Sequence, residues 1–527
     1  MHKKTCPLTR HAKQHHYFAA IETVYGALTA IIALHEATTL LPKTENEDSL
    51  SYPAAAVNTA VRHWHKCRFR GILSGNNGKQ GGRMGKYFGT DGFRGTANEG
   101  LTAEHAFQIG RYLGHYFAQR HRPRVVIGKD TRLSCYMLES ALSAGLNASG
   151  ADAYLLHVTT TPSVSYVTRT EQFDGGVMIS ASHNPYTDNG IKLLDGRGEK
   201  MTEDVTDGIE AYLDGQMLPL PHAAGERIGR TVDHFAGRNR YIGYLISLSA
   251  HSFQDKRIGL DCANGSAWMI GKAVFEALGA QVTAIGCDPD GLNINKGCGS
   301  THPEALRELV LGRHLDAGFA FDGDADRCIA VDEKGNILTG DHILYLCAVY
   351  LKKRNRLPSG TVVSTMMSNW GLKTALNKEG IGLLQTQVGD RFVYEAMRSG
   401  GHTLGGEESG HIIFSQYAAT GDGILTALKI MEVMLEEKAP LSQLAAKLTL
   451  FPRTQENVRV QNQDAVLASP LVFTAKKQAE EKLRSDGRIV LRKSGTEPVI
   501  RVLAEHPDQA LCDACVRQVV QAIHAGL

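Results

Sequence analysis

The sequence of 527 residues lacks an excess of charge of either sign and lacks a long uninterrupted apolar run. It contains 57 Lys+Arg and 55 Asp+Glu, a formal net charge of +2, so its charge gives no indication of a nucleic-acid or membrane-surface partner. An apolar stretch over residues 17–41 is interrupted by Glu22, His35 and Glu36 and is too polar for a membrane span. No small-residue cleavage site follows it, so we expect no targeting segment, no membrane partner and a cytoplasmic location.

A disulfide framework is also missing. The ten cysteines are scattered along the chain, a pattern typical of reduced thiols in a cytoplasmic protein. Cys512 and Cys515 form a C-x-x-C within a stretch of helical periodicity. Because no second pair completes a zinc site, we expect a structural role for them. The composition, 43% hydrophobic and 21% charged, is typical of globular proteins and not of disordered or fibrous ones.

Residues 1–83 differ from the rest of the chain. They hold seven of the 22 His and a net charge of +6, against −4 for the remaining 444 residues. They show no alternation of strands and helices, and we expect an extension that is disordered or poorly packed. Our hypothesis is that the native protein begins at Met84 and that residues 1–83 are a gene-model artefact. A genuine His-rich extension is the alternative.

From Met84 onward, short β-branched runs alternate with helical segments, which predicts α/β units around mixed, mostly parallel sheets. We predict three consecutive α/β domains and a small C-terminal α+β domain. Residues 229–248 look like a linking helix, and a helix is expected over residues 136–147. The predicted domain boundaries are 84–235, 236–335, 336–450 and 451–527.

A serine is displayed directly after one predicted strand. Ser182 and His183 lie in the segment SASHNP, which follows the apolar run ending at Ile179. A serine hydroxyl becomes a useful nucleophile when a base or a cation assists it. A plain Ser/Asn/Pro turn is the structural alternative. The G-x-S-x-G elbow of serine hydrolases is absent.

Three carboxylates at alternate positions follow another strand. Asp322, Asp324 and Asp326, in DGDADR, can converge on one hard cation, for which Mg²⁺ is our first choice. An EF-hand is the alternative, since Glu333 stands at the twelfth position. However, Arg327 occupies the place where that loop needs glycine, and the flanks read as strands.

Two further polar loops complete the set. In GEESGH, a carboxylate and a hydroxyl between glycines can bind vicinal sugar hydroxyls, although such a loop is usually only solvated. In RKSGTEP, a guanidinium, hydroxyls and backbone N–H groups around a glycine predict a phosphate nest rather than a plain hairpin. Together the four loops supply the parts needed for phosphoryl transfer on a sugar phosphate.

In this order, SASHNP, DGDADR, GEESGH and RKSGTEP resemble the four signature loops of the α-D-phosphohexomutase superfamily. GTDGFRG (residues 89–95) resembles that superfamily's first loop. The resemblance runs from about Lys86 to the C-terminus. Further stretches narrow it to the bacterial phosphoglucosamine mutases: NINKGCGSTHPEAL (293–306), VGDRFV (388–393), TGDGILTAL (420–428) and EPVIRV (497–502).

The resemblance implies the isomerisation of glucosamine 6-phosphate and glucosamine 1-phosphate through a 1,6-bisphosphate, for UDP-N-acetylglucosamine and cell-wall precursors. It implies one Mg²⁺ per subunit and a hexosamine or hexose 1,6-bisphosphate as activator. The residues implied are a phosphoserine, Ser182; metal ligands, Ser182, Asp322, Asp324 and Asp326; cationic or proton-transfer groups, Arg94, His183, Lys192 and Arg327; sugar-binding groups, Glu407, Ser409 and His411; and phosphate-binding groups, Arg492, Ser494, Gly495, Thr496 and Arg501.

Several alternatives stay open. Lys192 and His183 are both candidates for the general acid or base. A phosphomannomutase/phosphoglucomutase is the alternative activity. A non-catalytic sugar-phosphate binding protein is a third alternative, and the presence of Ser182 and all three aspartates argues against it. The expected partners are small-molecule sugar phosphates, and we expect a monomer or a homodimer.

Overall fold

A computed structural model of the chain describes residues 85–89, 91–118, 121–494 and 498–526. The predicted extension over residues 1–83 and the hypothesis that translation begins at Met84 lie outside the described residues. From residue 85 onward, four sheets follow one another along the chain.

The first sheet has seven strands and carries the Ser182 loop. Its elements are β1 (Phe88–Gly89), β2 (Gly92–Thr96), α1 (Ala103–Phe117), β3 (Arg124–Lys129), α2 (Leu133–Ala148), β4 (Asp152–Val158), α3 (Thr161–Thr170), β5 (Gly175–Ile179), β6 (Asp188–Asp195), α4 (Glu203–Leu213) and β7 (Thr231–Asp233). The strand order is β1-β2-β6-β5-β3-β4-β7, with parallel pairing of β3, β4, β5 and β7. The run Val125-Val126-Ile127 forms the fully buried centre of β3, as expected for a parallel strand covered on both faces.

The second sheet has five strands and follows a helix that leaves the first sheet. Its elements are α5 (Phe235–Ser247), β8 (Arg257–Asp261), α6 (Ala267–Ala277), β9 (Gln281–Ile285), α7 (Glu304–Arg313), β10 (Ala317–Phe321), β11 (Cys328–Asp332) and β12 (Ile337–Leu338). The strand order is β12-β11-β10-β8-β9. The pairs β10–β8 and β8–β9 are parallel, and the pairs β12–β11 and β11–β10 are antiparallel. Because β10 and β11 form an antiparallel pair, the DGDADR loop is the turn between them.

The third sheet has four strands. Its elements are α8 (Gly340–Lys353), β13 (Thr361–Thr365), α9 (Trp370–Lys378), β14 (Gly382–Thr386), α10 (Asp390–Gly400), β15 (Leu404–Gly406), β16 (Ile412–Phe414), α11 (Gly423–Glu437) and α12 (Leu441–Ala445). The order is β14-β13-β15-β16, with β15 and β16 antiparallel. Asp422 caps α11 by accepting a hydrogen bond from the Leu425 N–H, which satisfies one of the orphan donors of the first turn.

The C-terminal sheet has three strands and is wholly antiparallel, in the order β17-β19-β18. Its elements are β17 (Arg453–Arg459), α13 (Gln463–Leu467), α14 (Pro470–Leu483), β18 (Arg488–Lys493), β19 (Val499–Glu505) and α15 (Gln509–Ala525). Apolar side chains of α14 and α15 pack on one face of this sheet to form a separate core.

The predicted fold class is confirmed for the described residues: three α/β domains with mixed, mostly parallel sheets precede a small α+β domain. The predicted linking helix over 229–248 is wrong in its first part, since Thr231–Asp233 pairs with β4 as an edge strand. The domain boundaries stay predictions. Strand β12 (Ile337–Leu338) lies just beyond the boundary predicted at residue 335, yet it pairs with β11 of the second sheet. Within the described residues, no helix has both the length and the apolar character needed to cross a bilayer.

Candidate active site

Ser182 stands immediately beyond β5 in a left-handed backbone conformation, with φ of 55°. Such a conformation is uncommon outside glycine and marks a residue held by its surroundings. Its side chain is 1% exposed. The backbone N–H of Ser182 donates to Ser180 Oγ at 2.9 Å, and that hydroxyl donates to Asp130 Oδ2 at 2.6 Å.

A buried arginine holds the carbonyl groups of the serine loop. Arg132 is fully buried, and its Nη2 donates to the carbonyl oxygens of Ser182 at 2.9 Å and Asn184 at 2.8 Å. Its Nη1 donates to the Asp188 carbonyl at 3.1 Å, and its Nε donates to Asp130 Oδ2 at 2.9 Å. One guanidinium therefore fixes both sides of the loop, a use that its rigid fork of donors allows.

The three predicted aspartates converge below the serine. One carboxylate oxygen from each of Asp322, Asp324 and Asp326 lies within 4.8 Å of the others, and all three residues are buried. Ser182 Oγ donates to Asp322 Oδ2 at 2.5 Å. Burial, together with Asp326 and Asp324, raises the pKa of Asp322 to about 8. Mutual repulsion at this spacing disfavours ionisation of all three buried carboxyl groups unless a metal ion is bound.

The residues present fit a metal ion. Oδ1 of Asp324 and Oδ1 of Asp326 are buried and have no hydrogen-bond partner among the described residues. Buried polar oxygens normally have a hydrogen-bond partner, so two buried carboxylate oxygens without one, in residues of the same cluster, indicate ligand positions. Asp322, Asp324 and Asp326 could therefore hold a metal ion.

Lys192 is a positive group in direct contact with this cluster. Its Nζ donates to Asp324 Oδ2 at 2.7 Å and Asp326 Oδ2 at 3.0 Å. Thr161 Oγ1 also donates to Asp324 Oδ2. Burial lowers the pKa of Lys192, but Asp324, Asp326 and Asp91 together raise it well above its ordinary value. In this arrangement Lys192 is a charged donor.

Three further predicted residues lie close to the Ser182 loop or to the aspartates. Arg327 Nε lies 3.9 Å from carboxylate oxygens of both Asp322 and Asp326. Arg94, on β2, forms an ion pair with Asp91, which directly precedes that strand. His183 Nδ1 lies 3.4 Å from Ser182 Oγ, and burial, with the cations of Arg327 and Arg94, lowers its pKa to about 4.

The GEESGH loop is the turn between β15 and β16 and contacts the aspartate loop. The backbone N–H of Cys328 donates to the Gly410 carbonyl at 3.0 Å. Gly410 has φ of 92°, and a Cβ there would lie 2.3 Å from the Cys328 carbonyl oxygen, so the approach requires glycine. His411 Nδ1 lies 3.6 Å from Asp326 Oδ1, and Glu407 Oε1 accepts a hydrogen bond from the Gly389 N–H at 3.3 Å. Ser409 lies in the same turn.

The predicted phosphate-binding residues lie in the fourth domain, on the β18–β19 hairpin. Arg492 and Arg501 are directly opposite each other on neighbouring strands. Burial and the charge of Arg501 lower the pKa of Arg492. Two arginines on one face favour an anion between them. Ser494 is buried at the end of β18, and Gly495 and Thr496 lie outside the described residues.

Several contacts at the site were not predicted from sequence. Arg132 belongs to no recognised motif, and Thr161 stands in an ordinary helix start. Asn295 lies within a stretch that carries the resemblance, and it donates to the Ser182 carbonyl at 2.9 Å. Glu408 had no assigned role, yet both of its carboxylate oxygens pair with Arg453 at 3.0 Å.

The C-x-x-C lies away from this site. Cys512 and Cys515 are buried in α15 as free thiols and pack in the C-terminal core. In the part of the chain that the structure describes, the three aspartates are the group of three ligand-type residues close enough to share a metal ion.

Family models match all four parts of this architecture. The phosphoglucomutase/phosphomannomutase alpha/beta/alpha domains I, II and III match residues 85–218, 239–335 and 339–451, and the C-terminal domain matches 456–522. Fold and site thus define a phosphohexose mutase.

Curated relatives narrow the class. A phosphoglucosamine mutase of Lachnospira eligens is 58% identical over 443 residues, covering 84% of this chain and 98% of the relative. A phosphoglucosamine mutase of Bacillus cereus is 48% identical over 443 residues, covering 84% and 99%. The chain belongs to the phosphoglucosamine mutase family, a family of isomerases.

Solved structures share the fold. A phosphoglucomutase/phosphomannomutase family protein of Burkholderia thailandensis aligns with a TM-score of 0.71 at 23% identity, covering 84% of this chain and 98% of its own. An Aspergillus fumigatus N-acetylphosphoglucosamine mutase, solved with GlcNAc-6P and magnesium, aligns with a TM-score of 0.59 at 18% identity, covering 90% and 100%.

Proposed function

We propose that the chain interconverts glucosamine 6-phosphate and glucosamine 1-phosphate through a phosphorylated Ser182. The supporting observation is that Ser182 Oγ lies 2.5 Å from Asp322, at the edge of the aspartate cluster. A serine held there can carry a phosphoryl group whose charge, about −2 at neutral pH, meets the cations around it. The relationship to the phosphoglucosamine mutases is the reason for naming glucosamine as the sugar.

The aspartates would hold Mg²⁺ together with an oxygen of the Ser182 phosphate. Asp322, Asp324 and Asp326 offer only oxygen ligands, which Mg²⁺ prefers, and leave room for a phosphate oxygen. When bound, the ion offsets the charge that develops on the transferring phosphoryl group. Lys192, Arg327 and Arg94 offset the same charge from the protein side.

The reaction consists of two balanced transfers. The phosphoryl group leaves Ser182 Oγ for the free hydroxyl of the bound sugar monophosphate; the hydroxyl proton passes to a base, and Ser182 Oγ takes up a proton as it leaves. The resulting 1,6-bisphosphate turns end over end and returns its other phosphoryl group to Ser182, whose hydroxyl proton is released as the departing sugar oxygen is protonated. Of the two proton-transfer candidates, His183 lies beside the reacting oxygen, whereas Lys192 is held as a donor by Asp324 and Asp326.

Substrate binding would be shared between the third and fourth domains. Glu407, Ser409 and His411 would bind the sugar, with hydroxyls donating to the carboxylate. Arg492, Ser494, Gly495, Thr496 and Arg501 would hold the phosphate that does not react. A bisphosphate activator would regenerate the phosphoserine after its phosphoryl group has been lost by hydrolysis. A cytoplasmic location, a monomeric or homodimeric state and the absence of nucleic-acid partners belong to the same proposal.

Coupled assays on glucosamine, mannose and glucose 6-phosphates test the choice of substrate. We expect kcat/KM for glucosamine 6-phosphate to exceed the other two by at least about tenfold. A preference for mannose or glucose 6-phosphate would instead assign the chain as a phosphomannomutase/phosphoglucomutase. Failure to turn over any of the three would leave the non-catalytic reading.

A further inference from the structure

Lys200 lies between the first and third domains and contacts a carboxylate in each. Its Nζ donates to Asp91 Oδ1 at 3.0 Å, on the loop before β2, and to Asp390 Oδ1 at 2.8 Å, at the start of α10. Burial lowers the pKa of Lys200, but Asp390 and Asp91 hold it above the ordinary value. Lys200 is therefore a charged bridge, and it has no part in the chemistry described above.

Each carboxylate that Lys200 contacts faces a group of the active site. Asp91 forms an ion pair with Arg94 and lies 3.5 Å from Lys192 Nζ. Asp390 Oδ2 lies 3.6 Å from His411 Nε2. Since His411 and Lys192 both contact Asp326, acidic and basic side chains alternate around a closed ring. The ring runs through Asp91, Lys200, Asp390, His411, Asp326, Lys192 and back to Asp91.

This ring draws its members from three domains. Asp91, Lys192 and Lys200 belong to the first sheet and its loops, Asp326 follows a strand of the second, and Asp390 and His411 flank strands of the third. Lys200–Asp390 joins the first and third domains directly. Charge stabilisation of a transition state requires groups held close to their productive positions, and misplacement by about 1 Å can cost about 100-fold in rate.

We propose that Lys200 is a positioning residue for phosphoryl transfer. It sets Asp91, and through it Arg94, on one side of the reacting group, and Asp390, and through it His411, on the other. This inference rests on the proposed function, because positioning has a meaning only if Ser182 exchanges a phosphoryl group with a sugar phosphate.

The contact between the first and third domains, which we call the seam, also offers a matched control. Arg398 Nη1 in the third domain donates to Glu199 Oε2 in the first domain at 2.9 Å. Glu199 directly precedes Lys200 in the sequence. Arg398 is 60% exposed and contacts no member of the ring among the described residues. Arg398→Met therefore removes an ion pair across the seam and leaves the ring in place.

The experiment compares wild type, Lys200→Met, Lys200→Arg and Arg398→Met, each checked for its melting temperature and its Mg²⁺ binding. For Lys200→Met we expect kcat on glucosamine 1-phosphate to fall by about 30–100-fold, with KM changed by less than about threefold. Lys200→Arg, which keeps the charge, should recover kcat to within about fivefold of wild type. Arg398→Met should stay within about twofold, as exposed ion pairs contribute little.

Asp390→Asn breaks the same bridge from its other end and covers the case in which Lys200→Met does not fold. We expect a similar loss of kcat, and a double variant no more than about threefold worse than either single variant, because both substitutions break the same Lys200–Asp390 bridge. Full multiplication of the two losses would overturn the proposal.

The results also separate this inference from the proposed function. If the wild type is active and kcat of Lys200→Met lies within about threefold of it, the positioning role alone is overturned. The same holds if Arg398→Met loses as much kcat as Lys200→Met. An inactive wild type on all hexose phosphates overturns both.

Discussion

Ser182 of the first domain donates a hydrogen bond of 2.5 Å from its Oγ to Oδ2 of Asp322 in the second domain. Asn295, also of the second domain, donates to the Ser182 carbonyl oxygen at 2.9 Å. The proposed phosphoryl carrier and the proposed metal cluster are thus assembled across a domain boundary. Neither domain has the complete arrangement by itself.

Arg132→Met should disable the serine loop. The substitution removes the Arg132 donor from the carbonyls of Ser182, Asn184 and Asp188, of which Asn295 still binds the first two. It also removes the cation that pairs with the buried carboxylate of Asp130. We expect the melting temperature to fall by about 5–10 °C and kcat to fall by about 100-fold.

Arg124→Met is the matched control, since Arg124 also donates to two backbone carbonyls of the first domain, at its exposed surface. Differential scanning calorimetry and steady-state kinetics compare the two. Equal effects in both variants would contradict a special role of Arg132.

Removal of divalent metal should abolish turnover, and Mg²⁺ should restore it. Because Asp324 has a buried Oδ1 without a hydrogen-bond partner among the described residues, Asp324→Asn should raise the half-saturating Mg²⁺ concentration by at least about tenfold. Mg²⁺ should also raise the melting temperature of the wild type more than that of the variant. Activity that survives an excess of EDTA would speak against a metal at this site.

The stability of the third domain should depend on Asp341. Burial raises the pKa of its carboxyl to about 7, while an unfolded Asp titrates near about 4. Between these values the folded state binds more protons than the unfolded state, so the contribution of Asp341 to stability falls as the pH rises and is lowest above about pH 7.

Asp341→Asn removes this dependence. Its melting temperature relative to wild type should rise by about 2–4 °C between pH 5 and pH 8. Asp464→Asn, at a carboxylate that is 81% exposed, is the control, and no comparable rise is expected there. If the difference in melting temperature between Asp341→Asn and wild type is constant from pH 5 to pH 8, the raised pKa of Asp341 is refuted.

Glu408→Gln should loosen the GEESGH loop, which we propose binds the sugar. Glu408 pairs with both terminal nitrogens of Arg453 at 3.0 Å, and Arg453 also pairs with the buried Glu505 of the fourth domain. Losing this fork should raise KM for glucosamine 6-phosphate by about 3–10-fold with a smaller change in kcat. Steady-state kinetics measure it, and an unchanged KM would show that the pair does not hold the loop.

The two loops that we propose to carry phosphoryl transfer were predictable because each is short and directly follows an apolar strand. Ser182 comes three residues after Ile179, and Asp322 follows Phe321, so local spacing places both at strand ends. Alternation of Asp322, Asp324 and Asp326 was enough to predict their convergence. The α/β class followed from the β-branched runs.

What could not be predicted depends on distant or main-chain partners. Arg132 binds carbonyl groups some fifty residues away, which no side-chain pattern reveals. Lys200 and Asp390 are 190 residues apart in sequence. The strand Thr231–Asp233 is short, polar and at a sheet edge, so it has no apolar signal. The helix predicted over 136–147 begins earlier, at Leu133; Arg132 before it makes no side-chain cap, so no capping residue marks its start in the sequence.

The most direct test of the central claim is a single-turnover experiment read by mass spectrometry. The protein is phosphorylated with glucose 1,6-bisphosphate, freed of it, and mixed with glucosamine 6-phosphate. We predict one phosphoryl group on the Ser182 peptide, its transient loss as glucosamine 1,6-bisphosphate appears, and its return to Ser182 as glucosamine 1-phosphate forms. Ser182→Ala should fold, acquire no phosphate and show no turnover. A wild-type protein that turns over glucosamine phosphates while Ser182 never carries phosphate would contradict the account.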